Sequence, residues 1–201
     1  MTDAAPGRKV YVVDDDEAVG DALRMLFSTA GLEVETFRSA SEFLECARPG
    51  PASCLVLDIR MPGMGGSALQ DELIKRGLRM PIVFITGHGD IPMAVEAVKK
   101  GAFDFVEKPF DDERLLHQVL SAIDVAADPR RGAAPGARER IARLSARERE
   151  VLDCVLDGKP SPQIARELFI SVKTVEFHRA RIMDKLGVRS VAQLFRVCLA
   201  P

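Results

Sequence analysis

The 201-residue chain has no apolar run approaching the roughly 18 residues that a membrane helix needs, because charges or prolines interrupt every candidate. A bilayer-spanning helix is therefore not expected. The opening residues, MTDAAPGRKV, are too polar for the apolar middle of a secretory signal, so the expected location is cytoplasmic. Cysteine is sparse. Cys46, Cys54, Cys154 and Cys198 form no Cys-x-x-Cys pair and have no histidine at zinc spacing, which makes them small core residues rather than ligands or disulfide partners. The length is too small for a large multidomain enzyme and suits one or two domains. Its 47% hydrophobic and 29% charged residues are the composition of a globular chain.

The net charge of −2 conceals a division. Residues 1–124 hold 13 basic and 21 acidic residues, whereas residues 125–201 hold 15 basic and 9 acidic. Only the second part is suited to meet a polyanion such as DNA. Between them Ala126–Ala137, AADPRRGAAPGA, has linker composition. The expected organisation is a first domain at 1–124, a linker at 125–139 and a second domain at 140–201.

The first part alternates strand and helix signals. Apolar, β-favouring runs at Lys9–Val13, Glu33–Phe37, Cys54–Leu57, Ile82–Ile85 and Phe103–Val106 each precede a segment with helical spacing of apolar residues. Five such units predict an α/β fold with a doubly wound parallel sheet, whose ligands bind at the carboxyl ends of the strands. Those ends carry Asp14, Asp15 and Asp16 after the first run, Asp58 after the third, Thr86 after the fourth and Lys108 after the fifth. Grouped carboxylates repel one another unless a cation sits among them. Oxygen-only donors favour Mg²⁺ or Ca²⁺, and a shallow rim with few carboxylates and room for water suits Mg²⁺. A lysine and a hydroxyl beside a metal-bound carboxylate describe a place for a phosphoryl group on that carboxylate.

VVDDDE (Val12–Glu17), LVLDIRMPGMGG (Leu55–Gly66) and IVFITGHGDIPMAVEAVKKGAFDFVEKPF (Ile82–Phe110) resemble the receiver domain of two-component response regulators over residues 8–124. The resemblance implies a flavodoxin-like fold of strand order 2-1-3-4-5 and a phosphoryl group taken from a sensor histidine kinase onto Asp58. It implies Asp15, Asp58 and the backbone carbonyl of Arg60 as Mg²⁺ ligands, with Asp14 acting through water and Asp16 outside the site. It further implies Thr86 and Phe105 as a switch pair, a cis bond at Lys108-Pro109, and dimerisation through the fourth helix, fifth strand and fifth helix, roughly Pro92 to Asp124. Arg60 and His88, each two residues beyond a site residue, are expected to border the phosphoryl group and set its lifetime.

In the second part, Ser145-x-x-Glu148 is a capping box, Ser161-Pro162 a cap followed by a helix-opening proline, and Ser171 a cap for a helix over Val172–Leu186; Ser190 begins a fourth helix. Short helix, turn, longer helix is the helix-turn-helix order. LSAREREVL (Leu144–Leu152) and QIARELFISVKTVEFHRARIMDKLGVRS (Gln163–Ser190) resemble the LuxR-type helix-turn-helix of NarL- and FixJ-type regulators over residues 140–198. The resemblance implies that the Val172–Leu186 helix enters a major groove of promoter DNA. Glu176, Phe177 and Ala180 would face base edges, and Lys173, Thr174, His178, Arg179 and Arg181 would contact phosphates. A carboxylate at 176 can accept from cytosine N4 but repels phosphate, so it would specify rather than attract. Phe169 stands where this family often has Gly or Asn; a bulky residue resists a positive φ there, so a turn of different shape is expected.

The expected protein is a transcription factor that forms a homodimer when phosphorylated, with RNA polymerase a further partner and no membrane. Its own chemistry would be limited to Mg²⁺-dependent self-phosphorylation and autodephosphorylation. Two alternatives stay open. A phosphohydrolase of the haloacid dehalogenase type shares a metal-bound aspartate nucleophile, but usually has a second acid two residues later, where this chain has Arg60. A phosphate-independent DNA-binding protein would have no reason to hold Asp15, Asp58, Thr86 and Lys108 together.

Overall fold

The computed structural model describes residues 7–87, 91–127, 137–188 and 190–199. Five parallel strands, β1 (Lys9–Val13), β2 (Glu33–Phe37), β3 (Ser53–Asp58), β4 (Ile82–Thr86) and β5 (Asp104–Glu107), pair in the order β2-β1-β3-β4-β5. Helices α1 (Glu17–Thr29), α2 (Ala40–Cys46), α3 (Gly66–Lys75), α4 (Ile91–Lys99) and α5 (Asp112–Ala127) connect and cover them.

The central strands read as unbroken apolar runs because both of their faces are covered. Val10, Val12, Cys54, Val56, Val83 and Ile85 meet Leu23 and Phe27 of α1 and Leu115 and Val119 of α5. Tyr11, Val13, Leu55, Leu57 and Phe84 meet Phe43, Leu69, Leu73 and Val98 on the other side. Each such buried side chain contributes about 1.5–3 kcal/mol, so the sheet holds its loops at fixed separations. All strands point the same way, which gathers the residues after β1, β3, β4 and β5 on one rim.

The second part folds as α6 (Ala137–Ala142), α7 (Ala146–Leu156), α8 (Ser161–Glu167), α9 (Val172–Leu186) and α10 (Val191–Leu199) around Val151, Leu152, Ile164, Val175, Ile182 and Leu186. The sequence-based linker at 125–139 differs from this at both ends: α5 continues to Ala127 and α6 begins at Ala137. α6 was not expected because its residues are mostly polar or small; Ile141 packs on the helical core.

Capping explains the boundaries of α7 and α9. Ser145 accepts from the Glu148 N–H at 3.3 Å, while Glu148 accepts from the Ser145 N–H at 2.7 Å. Ser171 accepts from the Thr174 N–H at 3.0 Å, and Gly187 ends α9 at φ +65°. Glu148 is buried and also accepts from Lys185 Nζ at 2.6 Å. The hydrogen bond from Lys185, followed by that from the Ser145 backbone, holds its carboxyl down at about 2 from an ordinary 4.5, against the effect of burial. A depressed carboxyl stabilises the fold fully above its unfolded value and loses that stabilisation as the pH falls through its folded value. Glu148→Gln is therefore expected to destabilise the helical domain by about 1–3 kcal/mol at pH 7. The gap to wild type, followed by thermal denaturation, should close between pH 4.5 and about 2.

At two positions the fold corrects the sequence-based expectation. Phe169 adopts φ +54°, so the turn between α8 and α9 keeps the left-handed shape that its side chain was expected to prevent. The ring is 94% exposed, which means no neighbour resists that placement and the local strain is tolerated. A left-handed L-residue costs about 1–2 kcal/mol, so Phe169→Gly should raise the domain's stability by roughly 1 kcal/mol after glycine's extra chain entropy is counted. Thermal midpoints of the two proteins test this. Ser161 lies inside α8, whose N-cap is Pro160 with no side-chain cap. The Ser161 hydroxyl is engaged elsewhere.

Candidate functional site

At the rim, Asp14 follows β1, Asp58 ends β3, Thr86 ends β4 and Lys108 follows β5. Lys108 Nζ donates to Asp14 Oδ2 and to Asp58 Oδ1, each at 3.0 Å, and thereby bridges two buried carboxylates from different strands. Asp58 Oδ2 accepts from the Arg60 N–H at 3.0 Å, and Asp14 Oδ1 accepts from the Asp16 N–H at 2.9 Å. Burial pushes the Asp58 carboxyl above the ordinary carboxylate range, against the pull of Lys108. Burial also opposes the charge of Lys108, but its hydrogen bonds to Asp14 and Asp58 hold it above the ordinary lysine range. The Lys108–Pro109 peptide is cis.

Thr86 is fully buried and its hydroxyl has no hydrogen-bond partner among the described residues. A buried donor without an acceptor demands an explanation. By register Asp58 pairs with Ile85, so Thr86 stands one residue further along the neighbouring strand, at the rim. Asp15, the residue after Asp14, is exposed, and Asp16 caps α1 by accepting from the Ala18 N–H at 2.9 Å. His88 lies outside the described residues.

Among the described residues, no three His, Cys, Asp or Glu side chains are assembled into a closed metal cage. The donors on this rim are nevertheless all hard oxygens, few in number, with Asp15 open to water. That set fits a hydrated Mg²⁺ better than a site that strips the ion of its water. A site residue absent from the sequence reading is Gly66 at the start of α3. A Cβ there would lie 2.3 Å from the Asp58 carbonyl oxygen and 3.0 Å from the Phe84 ring, so only glycine lets α3 close over the end of β3. The signal for it was the MPGMGG stretch.

On α9, Lys173, Glu176, Phe177, Ala180 and Arg181 form one exposed stripe opposite Val175, Ile182 and Leu186. Arg181 packs its guanidinium 5.6 Å from the Phe177 ring centroid. Three further candidates differ in setting. Thr174 is half-buried and shares a 2.8 Å contact with the Ser171 hydroxyl; His178 is half-buried, with Nδ1 unpaired among the described residues. Arg179 turns toward α8 and donates to the Ser161 hydroxyl at 2.8 Å.

The two parts of the chain touch. α10 packs against α4 and the edge strand β5, and Ala192 and Phe195 are buried with Val95, Val98 and Ala102. The Ser190 hydroxyl donates to Asp104 Oδ2 at 2.6 Å, both groups being buried, while Asp104 Oδ1 accepts from the Phe105 N–H at 2.8 Å. Burial drives the Asp104 carboxyl upward, with Ser190 and the Phe105 N–H pulling against it. Arg196 lies 3.9 Å from the Phe103 ring centroid. The α4–β5 face, expected as a dimer surface, is thus occupied in part by α10.

Comparisons with known proteins agree with both parts. Residues 10–120 match the response regulator receiver domain family, and residues 142–198 match the family described as bacterial regulatory proteins, luxR family. Among relatives, the transcriptional regulatory protein FixJ of Azorhizobium caulinodans is 44% identical over 192 residues, 94% of this chain and 91% of the relative. The response regulator protein TodT of Pseudomonas putida is 46% identical over 190 residues, 94% of this chain and 84% of the relative. Among solved structures, full-length FixJ from B. japonicum is 40% identical and covers 98% of this chain and 97% of its own, with a TM-score of 0.58. The response regulator StyR is 46% identical and covers 96% and 98%, with a TM-score of 0.57. Among the described residues, no helix is long and apolar enough to cross a membrane.

Proposed function

The chain belongs to the response regulators that join a receiver domain to a LuxR-type DNA-binding domain, and from that premise we propose that it is a transcription regulator controlled by phosphorylation of Asp58. The observation that carries this reading is the Lys108 bridge to Asp14 and Asp58 beside the unpartnered Thr86 hydroxyl. It works in the cytoplasm with a sensor histidine kinase, and its chemistry is acceptance and release of one phosphoryl group rather than turnover of a substrate.

An Asp58 carboxylate oxygen attacks the phosphorus of the kinase's phosphohistidine. The new O–P bond forms as the N–P bond breaks, and the histidine nitrogen keeps the electron pair. Lys108 then moves its ammonium from a carboxylate to a phosphoryl oxygen, and Thr86 donates its free hydroxyl to another. Asp15, Asp58 and the Arg60 carbonyl would hold Mg²⁺, with Asp14 acting through water; when bound, it supplies charge neutralisation for the remaining phosphoryl oxygens. Arg60 borders the group and sets how fast water removes it; His88, given the same role from the sequence, lies outside the described residues.

The resting receiver either hinders the DNA-binding helices or holds them unpaired, and the docked α10 supports the second. The α9 stripe is exposed, so the recognition helix is not buried against the receiver domain. What is occupied is part of the α4–β5 face, which cannot pair with a second copy while α10 lies on it. Withdrawal of the Thr86 hydroxyl toward a phosphoryl group lets Phe105 follow, and the Phe105 N–H is itself bonded to Asp104, the partner of Ser190. Release of α10 permits a homodimer to engage two promoter half-sites about one helical turn apart, and RNA polymerase is met from that complex.

The direct test is binding of the full-length protein to promoter duplexes with and without acetyl phosphate and Mg²⁺. Phosphorylation should raise affinity for paired half-sites and leave a single half-site nearly unchanged. Equal affinities for paired sites in both states, with intact mass showing full phosphorylation, would favour the phosphate-independent reading instead.

A further inference from the structure

Ser161 occupies the place of a capping serine, directly before Pro162, yet caps nothing. It is 7% exposed, and its hydroxyl reaches from α8 to α9. There it donates to Glu176 Oε1 and accepts from Arg179 Nη1 at 2.8 Å. Arg179 Nη1 also lies 3.7 Å from the same Glu176 oxygen. The guanidinium donates, the hydroxyl accepts and passes on a donor, and the carboxylate accepts.

We propose that Ser161 and Arg179 are positioning residues that hold Glu176 as a reader of one cytosine in the major groove. This deepens the DNA-binding reading of α9 and rests on it. A glutamate turned toward a polyanion is repelled by phosphate and gains only by delivering a specific hydrogen bond. Left free, its long side chain would lose much rotamer freedom on binding; held in advance by Ser161, it has already lost it. The network engages Oε1 alone. Oε2 takes no part in it, and the Glu176 side chain remains 56% exposed. Ala180, one turn further on the same stripe, presents only a methyl group and leaves room for a base edge.

The base class follows from the free acceptor. Cytosine offers N4 as a lone major-groove donor, whereas guanine presents N7 and O6 and thymine presents O4, all acceptors that repel a carboxylate. Adenine offers a donor at N6 beside an acceptor at N7, which ranks it second. Arg179 offsets the repulsion between Glu176 and the flanking phosphates from the protein side, a different task from the phosphate contact expected of it.

The competing explanation is that the network merely fastens α8 to α9, so the test must separate base choice from overall affinity. The full-length protein, treated with acetyl phosphate and Mg²⁺, is used to select from a randomised duplex pool, and affinities are then measured on single-base variants of the selected site. Wild type should prefer cytosine at one position of each half-site by about tenfold, and Glu176→Gln should erase that preference. Ser161→Ala should relax the same position several-fold while leaving the salt slope and the affinity for random duplex unchanged. Ser161→Thr, which keeps the hydroxyl, should restore it. Lys173→Ala, the phosphate control, should weaken all sequences alike and reduce the salt slope by about one.

A Ser161→Ala protein that weakens every duplex equally, relaxes a different position from Glu176→Gln, or keeps full discrimination would overturn the proposal. If wild type selects a site whose preferences Glu176→Gln does not alter, the proposal falls and DNA binding stands. If wild type selects no sequence at all, the DNA-binding reading falls as well.

Discussion

Asp104→Ala is expected to bind paired half-sites without any phosphodonor, at an affinity about fivefold or more above that of unphosphorylated wild type. Asp104 accepts from Ser190 across the contact between the two domains, and both groups are removed from water. Removing the acceptor leaves the buried Ser190 hydroxyl without a partner in the docked form, which costs about 1–3 kcal/mol, and each 1.4 kcal/mol is a factor of ten. Loss of the acceptor therefore shifts the balance between docked and free α10 by roughly 5- to 150-fold. Asp104 is the better target of the two, because Ser190 also caps α10 by accepting from the Gln193 N–H at 3.1 Å. Removing Ser190 would confound release of the helix with its unwinding. Affinity for a single half-site should stay within about twofold, since the α9 stripe is exposed in the docked form. Gel-shift titrations on one-site and two-site duplexes check both statements. An equal rise on both duplexes would mean that docking hinders α9 itself.

The second large effect is a complete loss. Asp58→Ala is expected to take up no phosphoryl group from acetyl phosphate in Mg²⁺, as read by intact mass, and to gain no affinity for paired half-sites. Asp14 is not expected to replace it as acceptor, because its side chain is only 2% exposed against 10% for Asp58 and is the less open of the two to a phosphodonor. Asp15 is exposed, and the Lys108 bridge runs to Asp14 and Asp58 rather than to it. Combining both changes is informative. Asp58→Ala with Asp104→Ala should bind paired sites as Asp104→Ala does, because the release of α10 then no longer needs a phosphoryl group. Binding that falls back to the resting level would show that the phosphoryl group acts on something other than this contact.

What the sequence made legible follows from how local each cause is. Asp14, Asp58, Thr86 and Lys108 could be placed on one rim because parallel strands all end on the same side, so strand position alone brings together residues far apart in the chain. The caps at Ser145 and Ser171 were legible because capping is settled within four residues. Ser161 was misread by the same rule: a serine before proline looks like a cap, and only the crossing of α8 over α9 reveals that its hydroxyl has a stronger partner. Asp104 offered a signal that went unused, a carboxylate inside an otherwise apolar strand run, which needs a partner when buried. Naming that partner required the docking of α10, and no periodicity says whether Ala192 and Phe195 bury against their own domain or another one. Phe169 marks the opposite limit. Its dislike of positive φ was correctly stated, but the turn's geometry prevailed because the ring met only solvent.

The most direct measurement is amide hydrogen exchange of the full-length protein with and without acetyl phosphate and Mg²⁺, beside Asp58→Ala under the same conditions. Phosphorylated wild type should lose protection along α10 between Ala192 and Val197 and along β5, while α9 changes little, and Asp58→Ala should show no difference. Full phosphorylation of Asp58, confirmed by mass, with α10 still as protected as before would contradict control through release of that helix.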